Sequence, residues 1–92
     1  MYRRILSTNE MVSAKFNMYP NPATNIVNIT NSENILVKQV TVYDSNNSKE
    51  LNTQNFNNES QIQLNVENLA SGTYILHIQT NDGLAVKKLV KK

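Results

Sequence analysis

The chain contains no cysteine and no tryptophan, and only two glycines and two prolines among its 92 residues. Without cysteine there is neither a disulfide framework nor a thiolate metal site. The two glycines, Gly72 and Gly83, stand alone in turn-like surroundings, so a Gly-rich phosphate cradle is excluded. Histidine is reduced to one residue, His77, with no serine or aspartate at a spacing that specifies a triad. No paired carboxylates stand out, so no catalytic residue, metal ligand or cofactor site is expected, and His77 reads as an outward or rim residue of a strand. No apolar run approaches the length of a membrane span. Met1-Tyr2-Arg3-Arg4-Ile5-Leu6-Ser7 is basic but lacks the apolar stretch of a secretory signal.

What is present is short-period alternation. In Thr73–Gln79 the apolar Tyr74, Leu76 and Ile78 alternate with His77 and mostly polar neighbours, the period of a strand with one buried face. Asn81-Asp82-Gly83 then supplies residues that tolerate positive φ, so the chain folds back as a hairpin into Leu84–Val90. Similar runs recur along the sequence, and no window keeps a helical period over a dozen residues. The expected strands are 16–19, 26–30, 36–43, 50–55, 61–65, 72–80 and 84–90. Seven short strands point to an all-β fold, a seven-stranded antiparallel Ig-like β-sandwich. Shared phase assigns Val27, Ile29, Leu36, Val40, Val42, Ile62, Leu64, Val66, Tyr74, Leu76 and Ile78 to the interior. Lys38 interrupts the third strand, which places it near an end or edge with its ammonium in water. The last strand has no evident register, since Leu84 and Val86 share one face and Leu89 lies on the other, and a bulge is one resolution. Residues 1–15 are weakly patterned and read as a linker, with 16–92 as one domain.

Asparagine crowds the connections, at Asn21, Asn25, Asn28, Asn31, Asn34, Asn46, Asn47, Asn57 and Asn58. It enters the left-handed region cheaply, so with two glycines it is expected to supply most other positive-φ corners. Asp44-Ser45-Asn46-Asn47-Ser48-Lys49-Glu50 begins like a calcium loop, but Lys49 and Asn55 occupy the positions that need Gly and a bidentate Glu. It is read as a polar loop. The formal net charge of +2 is local, with Lys87, Lys88, Lys91 and Lys92 closing the chain and Arg3 and Arg4 near its start. Four lysines without interleaved aromatics argue against nucleic-acid binding. They are compatible with edge protection of a terminal strand, with an anionic membrane surface, or with an address read by a partner.

Three blocks in order carry a resemblance: Tyr19-Pro20-Asn21-Pro22, then Leu69-Ala70-Ser71-Gly72-Thr73-Tyr74, then Gly83 through Lys87-Lys88-Leu89-Val90-Lys91-Lys92. Together they resemble the C-terminal sorting domain, type A, of cargo proteins of the type IX secretion system. The resemblance implies a transport signal without enzymatic activity. Its partners would be the outer-membrane translocon and a cell-surface signal peptidase that cleaves the domain, with a cargo domain preceding it in the chain. Cargo would pass through the periplasm and end at the cell surface or outside the cell. Lys87, Lys88, Leu89, Val90, Lys91 and Lys92 are then the expected translocon-recognition residues, more a recognition element than a folding element. Pro20, Asn21, Pro22, Leu69, Gly72, Tyr74 and Gly83 are the structural positions of the motifs. Family members often carry Gly after the third strand, where Asn47 is expected to take the left-handed conformation instead. Lacking its own leader, the chain is expected to be a fragment of, or a gene remnant from, a longer cargo. The alternative function is an adhesive or carbohydrate-binding Ig-like accessory module, which shares the fold.

Overall fold

The computed structural model describes residues 10–46 and 49–92. A short helix, α1 (Glu10–Lys15), precedes seven strands: β1 (Phe16–Tyr19), β2 (Ile26–Asn31), β3 (Val37–Asp44), β4 (Glu50–Glu59), β5 (Ile62–Asn65), β6 (Gly72–Thr80) and β7 (Gly83–Lys91). Two antiparallel sheets result, ordered β1-β2-β5 and β4-β3-β6-β7. The first, second and fifth strands share one sheet and the third, sixth and seventh the other, as in the immunoglobulin sandwich, while the fourth joins the larger sheet. The Gln54 carboxamide of β4 donates to the Asn65 carbonyl of β5 at 2.9 Å and ties the sheets at one corner.

Alternation places the core between the sheets. Val27, Ile29, Val40, Val42, Ile62, Leu64, Val66, Tyr74, Leu76 and Ile78 are all buried, joined by Phe16, Ala23, Ile35, Val37, Ala85 and Leu89. Each buried Val, Leu or Ile contributes about 1.5–3 kcal/mol relative to exposure, and this layer is what a chain of such size can muster against its conformational entropy.

The structure corrects the third strand. Leu36 is half-buried, and Ile35 and Val37 take the inward positions on either side of it. A register shift between Val37 and Gln39 explains the break in phase: Val37 pairs with Glu59 and Thr80, Gln39 with Asn55 and Gln79. Lys38 occupies the bulge and stays exposed, an extra residue that re-aims its neighbours. On the partner strand the same irregularity spans Phe56, Asn57 and Asn58, and Asn58 adopts φ +55° there. The fourth strand therefore runs four residues past Asn55, the end that the sequence suggested. Among the described residues Asn34 is the other non-glycine residue at positive φ, so asparagine does serve these corners; Asn47 lies outside the described residues.

A buried polar staple is an additional feature. Asn31, 7% exposed, accepts from the backbone N–H of Glu33 (3.0 Å) and Ile35 (2.8 Å), and donates to the carbonyls of Ile35 (3.1 Å) and Ser60 (2.9 Å). Its side chain thereby holds the β2–β3 connection to the turn before β5. Lys15 and Glu33 form an ion pair at 3.2 Å near the same connection; partly exposed as it is, it adds little.

Asn31→Ala removes all four bonds and leaves buried backbone groups without partners. It is expected to cost about 2–4 kcal/mol, read by urea unfolding. Gly72 sits at φ +153° with nothing within 4 Å of where a Cβ would stand, so the penalty for a side chain there is backbone strain, not a clash. Gly72→Val is expected to cost about 1–3 kcal/mol in the same measurement; an unchanged midpoint would refute it.

Candidate functional site

The last strand is held from three sides. On one edge β7 pairs with β6 without a register shift, from Thr80↔Gly83 to Gly72↔Lys91. No bulge is needed, because the inward residues are Ala85, Leu89 and Lys91, a phase that hydrophobicity alone conceals by placing a lysine in it. The Thr80 hydroxyl donates to the Gly83 carbonyl at 2.7 Å and accepts from Asp82 N–H at 3.0 Å, which fixes the turn, with Gly83 at φ +124°.

On its other edge β7 meets the N-terminal part of the chain. Ala23 forms a parallel bridge with Lys91: its N–H donates to the Val90 carbonyl, and its carbonyl accepts from Lys92 N–H, both at 2.8 Å. The Asn21 side chain accepts from Val90 N–H at 3.0 Å and donates to the Lys88 carbonyl at 3.4 Å. Farther along, Val86 N–H donates to Ser13 Oγ at 2.9 Å, so α1 covers that end of the edge. The peptide bonds before Pro20 and Pro22 are both cis. Neither proline has an N–H, so the segment cannot extend into a full strand, and the Asn21 carboxamide supplies the donor and acceptor that a strand residue would.

The middle motif closes the third side. Lys91, 9% exposed, directs its Nζ to the Leu69 carbonyl at 2.9 Å. The Tyr74 hydroxyl donates to the next carbonyl, Ala70, at 2.6 Å. A tyrosine near the start of the sixth strand that bonds back to the preceding corner is the tyrosine corner of Ig-like sandwiches. Leu69 packs against the core edge, and Gly72 opens β6 just after.

The three sequence blocks therefore meet in one place. Pro20, Asn21 and Pro22 flank β7, while Leu69, Gly72 and Tyr74 close its C-terminal end, and Gly83 begins it. The terminal residues divide by phase: Leu89 is fully buried and Lys91 nearly so, Lys87 and Val90 are half-buried, and Lys88 and Lys92 are exposed. Leu89 and Lys91 therefore take part in the packing of the sandwich, while Lys88 and Lys92 stay in solvent. Burial of Leu89 alone contributes about 1.5–3 kcal/mol, and the ladders on both edges depend on the same residues. The Lys91 anchor and the Asn21 cap escaped sequence reasoning. Parity with Ala85 and Leu89 is the signal that identifies Lys91; nothing in the sequence reports that Asn21 reaches a strand 67 residues away.

The rest of the surface offers less. His77 lies on the outer face of the larger sheet, half-buried, its ring 4.5 Å from that of Tyr43 at 50°. Asp44 accepts from Asn46 N–H at 2.8 Å, the bond of a polar turn. A groove of about 480 Å³ between Tyr19, Asn28, Thr30, Phe56, Glu59 and Gln63 holds one carboxylate and no base beside it. Among the aromatics of the described residues Tyr19 alone is strongly exposed, at 53%. Sugar-binding platforms stack on such rings, and one isolated tyrosine is a poor platform.

Asn21→Ala is expected to lower stability by about 1 kcal/mol. Amide exchange at Val90 should accelerate while Ile78 in the sheet centre keeps its protection; equal exchange at Val90 in both chains would remove Asn21 from this role.

No curated protein matches the chain. The family model described as the secretion system C-terminal sorting domain matches residues 17–92, a span that begins in β1 and takes in every strand and all three convergent motifs. The chain belongs to this family, and it is a C-terminal sorting signal for type IX secretion.

Proposed function

We propose that residues 16–92 are the unit by which the outer-membrane translocon of the type IX system accepts a cargo from the periplasm, and that a cell-surface signal peptidase then removes it. Residues 1–15 serve in this reading as the connection to the cargo, with Glu10–Lys15 docked on β7. The domain itself performs no chemistry and needs no cofactor; activity belongs to the cargo. The observation that carries the reading is the family match over 17–92, supported by the convergence of its three motifs on the terminal strand. A folded, Ig-like sandwich with its terminal strand locked by distant residues suits a signal that is to be read only when the chain is complete. What supports this reading is the bonding of 21–23 to 88–92 along the seam, which needs both segments.

Residues 1–92 appended to a periplasmically targeted reporter should place that reporter outside a host that has the system. In a host lacking the translocon it should remain in the periplasm. Reporter retained in the periplasm of the competent host would overturn the proposal.

A further inference from the structure

Strand β7 has two edges and two faces, and three of the four are occupied. One edge is paired to β6 and the other is covered by Ser13, Asn21 and Ala23. One face, with Ala85, Leu89 and Lys91, is packed into the sandwich. The remaining face carries the half-buried Leu84 and Val86 toward the start of the strand and, toward its end, Lys88, Val90 and, one residue past the strand, Lys92. Alternation along an extended chain puts the two lysine side chains on the same side, their Cα atoms about 13 Å apart, with Val90 between them. Across the ladder Lys88 lies opposite Ile75 and Val90 opposite Thr73, both half-buried. No ion pair holds Lys88 or Lys92 among the described residues, whereas Lys91 spends its ammonium on the Leu69 carbonyl.

We propose, resting on the sorting reading above, that Lys88, Val90 and Lys92 with Ile75 and Thr73 form the face by which the tail is recognised, and that the partner is a protein surface presenting carboxylates to the two lysines around an apolar contact for Val90. Lys91 is a positioning residue that locks this face to the Leu69–Tyr74 corner and does not touch the partner. Charge complementarity favours a protein over a lipid surface: two ammonium groups fall short of the cluster of about four to eight that holds a segment on an anionic membrane. An apolar residue set between paired charges instead fits the mixed character of a protein interface. Strand addition, the other way to read a terminal strand, is obstructed here because Val86 N–H, the Lys88 and Val90 carbonyls, and the Val90 and Lys92 N–H groups already bond to Ser13 and 21–23.

The full chain is tested on the periplasmically targeted reporter, with melting measured on the purified chain. Lys88→Glu with Lys92→Glu should melt within about 2 °C of the parent, as expected for exposed positions, and lose export at least tenfold. Lys88→Arg with Lys92→Arg should export like the parent. Lys91→Met should melt several degrees lower, yet export within about twofold of the parent at a temperature where it is folded. If the glutamate pair unfolds, Lys88→Gln with Lys92→Gln is held to the same tenfold criterion. Export of the charge-altered chain at the parental rate overturns the proposal and leaves the sorting function standing, whereas retention of the parent chain overturns both. Faster export of Asn21→Ala with the glutamate pair unaffected is the outcome for strand addition and also overturns it. So does binding of the parent chain to phosphatidylserine vesicles that is lost in the glutamate pair, which would make the partner a membrane. A Lys91→Met chain that melts like the parent removes Lys91 from its role.

Discussion

The seam along the terminal strand is the constraint on which the sandwich depends. A sheet with β7 at its border would expose a row of unpaired N–H and C=O groups, and such an edge invites other strands. This chain closes it with its own N-terminal segment: Ala23 through its backbone, Asn21 through its carboxamide and Ser13 through its hydroxyl. Because 21–23 lead into β2 of the smaller sheet, the seam also joins the two sheets, along the edge of the larger sheet opposite β4, whose Gln54 bonds Asn65. Ala23 is fully buried in the process, and the methyl group is small enough for the two backbones to approach.

Asparagine replaces glycine in the working parts of this fold by two distinct means. At Asn34 and Asn58 the backbone takes positive φ, a conformation whose cost is lowest for glycine and then asparagine. At Asn21 and Asn31 φ is not positive and it is the side chain that matters, since a carboxamide carries the same donor and acceptor as a peptide group. It can therefore complete a ladder or staple a loop where no backbone reaches. A serine hydroxyl could donate only one bond at such a site, whereas Asn31 donates two and accepts two.

The terminal lysines illustrate how one composition serves different ends. Lys91 enters the sandwich because its long stem covers apolar surface while its ammonium finds a carbonyl, and the exposed Lys88 and Lys92 keep their charges in water. A basic tail thus combines an anchor with a solvent-facing pair, and the alternation of the strand decides which lysine does which. One strand thus holds residues that build the fold beside residues that remain in solvent.

The sequence by itself determined the fold class and most of the core. Period-2 alternation is a local property, and Val27, Ile29, Ile62, Leu64, Tyr74, Leu76 and Ile78 follow it without exception. Family membership was equally legible, since motif order along the chain is a one-dimensional property. Where alternation broke, at Leu36–Lys38, the sequence showed the break and left open which residue would turn inward; the bulge against β4 and β6 decided for Val37. The burial of Lys91, the reach of Asn21 to β7 and the bonding of Asn31 belonged to tertiary structure alone. Each depends on what another segment brings within about 3 Å, and a hydrogen bond between residues distant in sequence leaves no periodicity for a sequence to display.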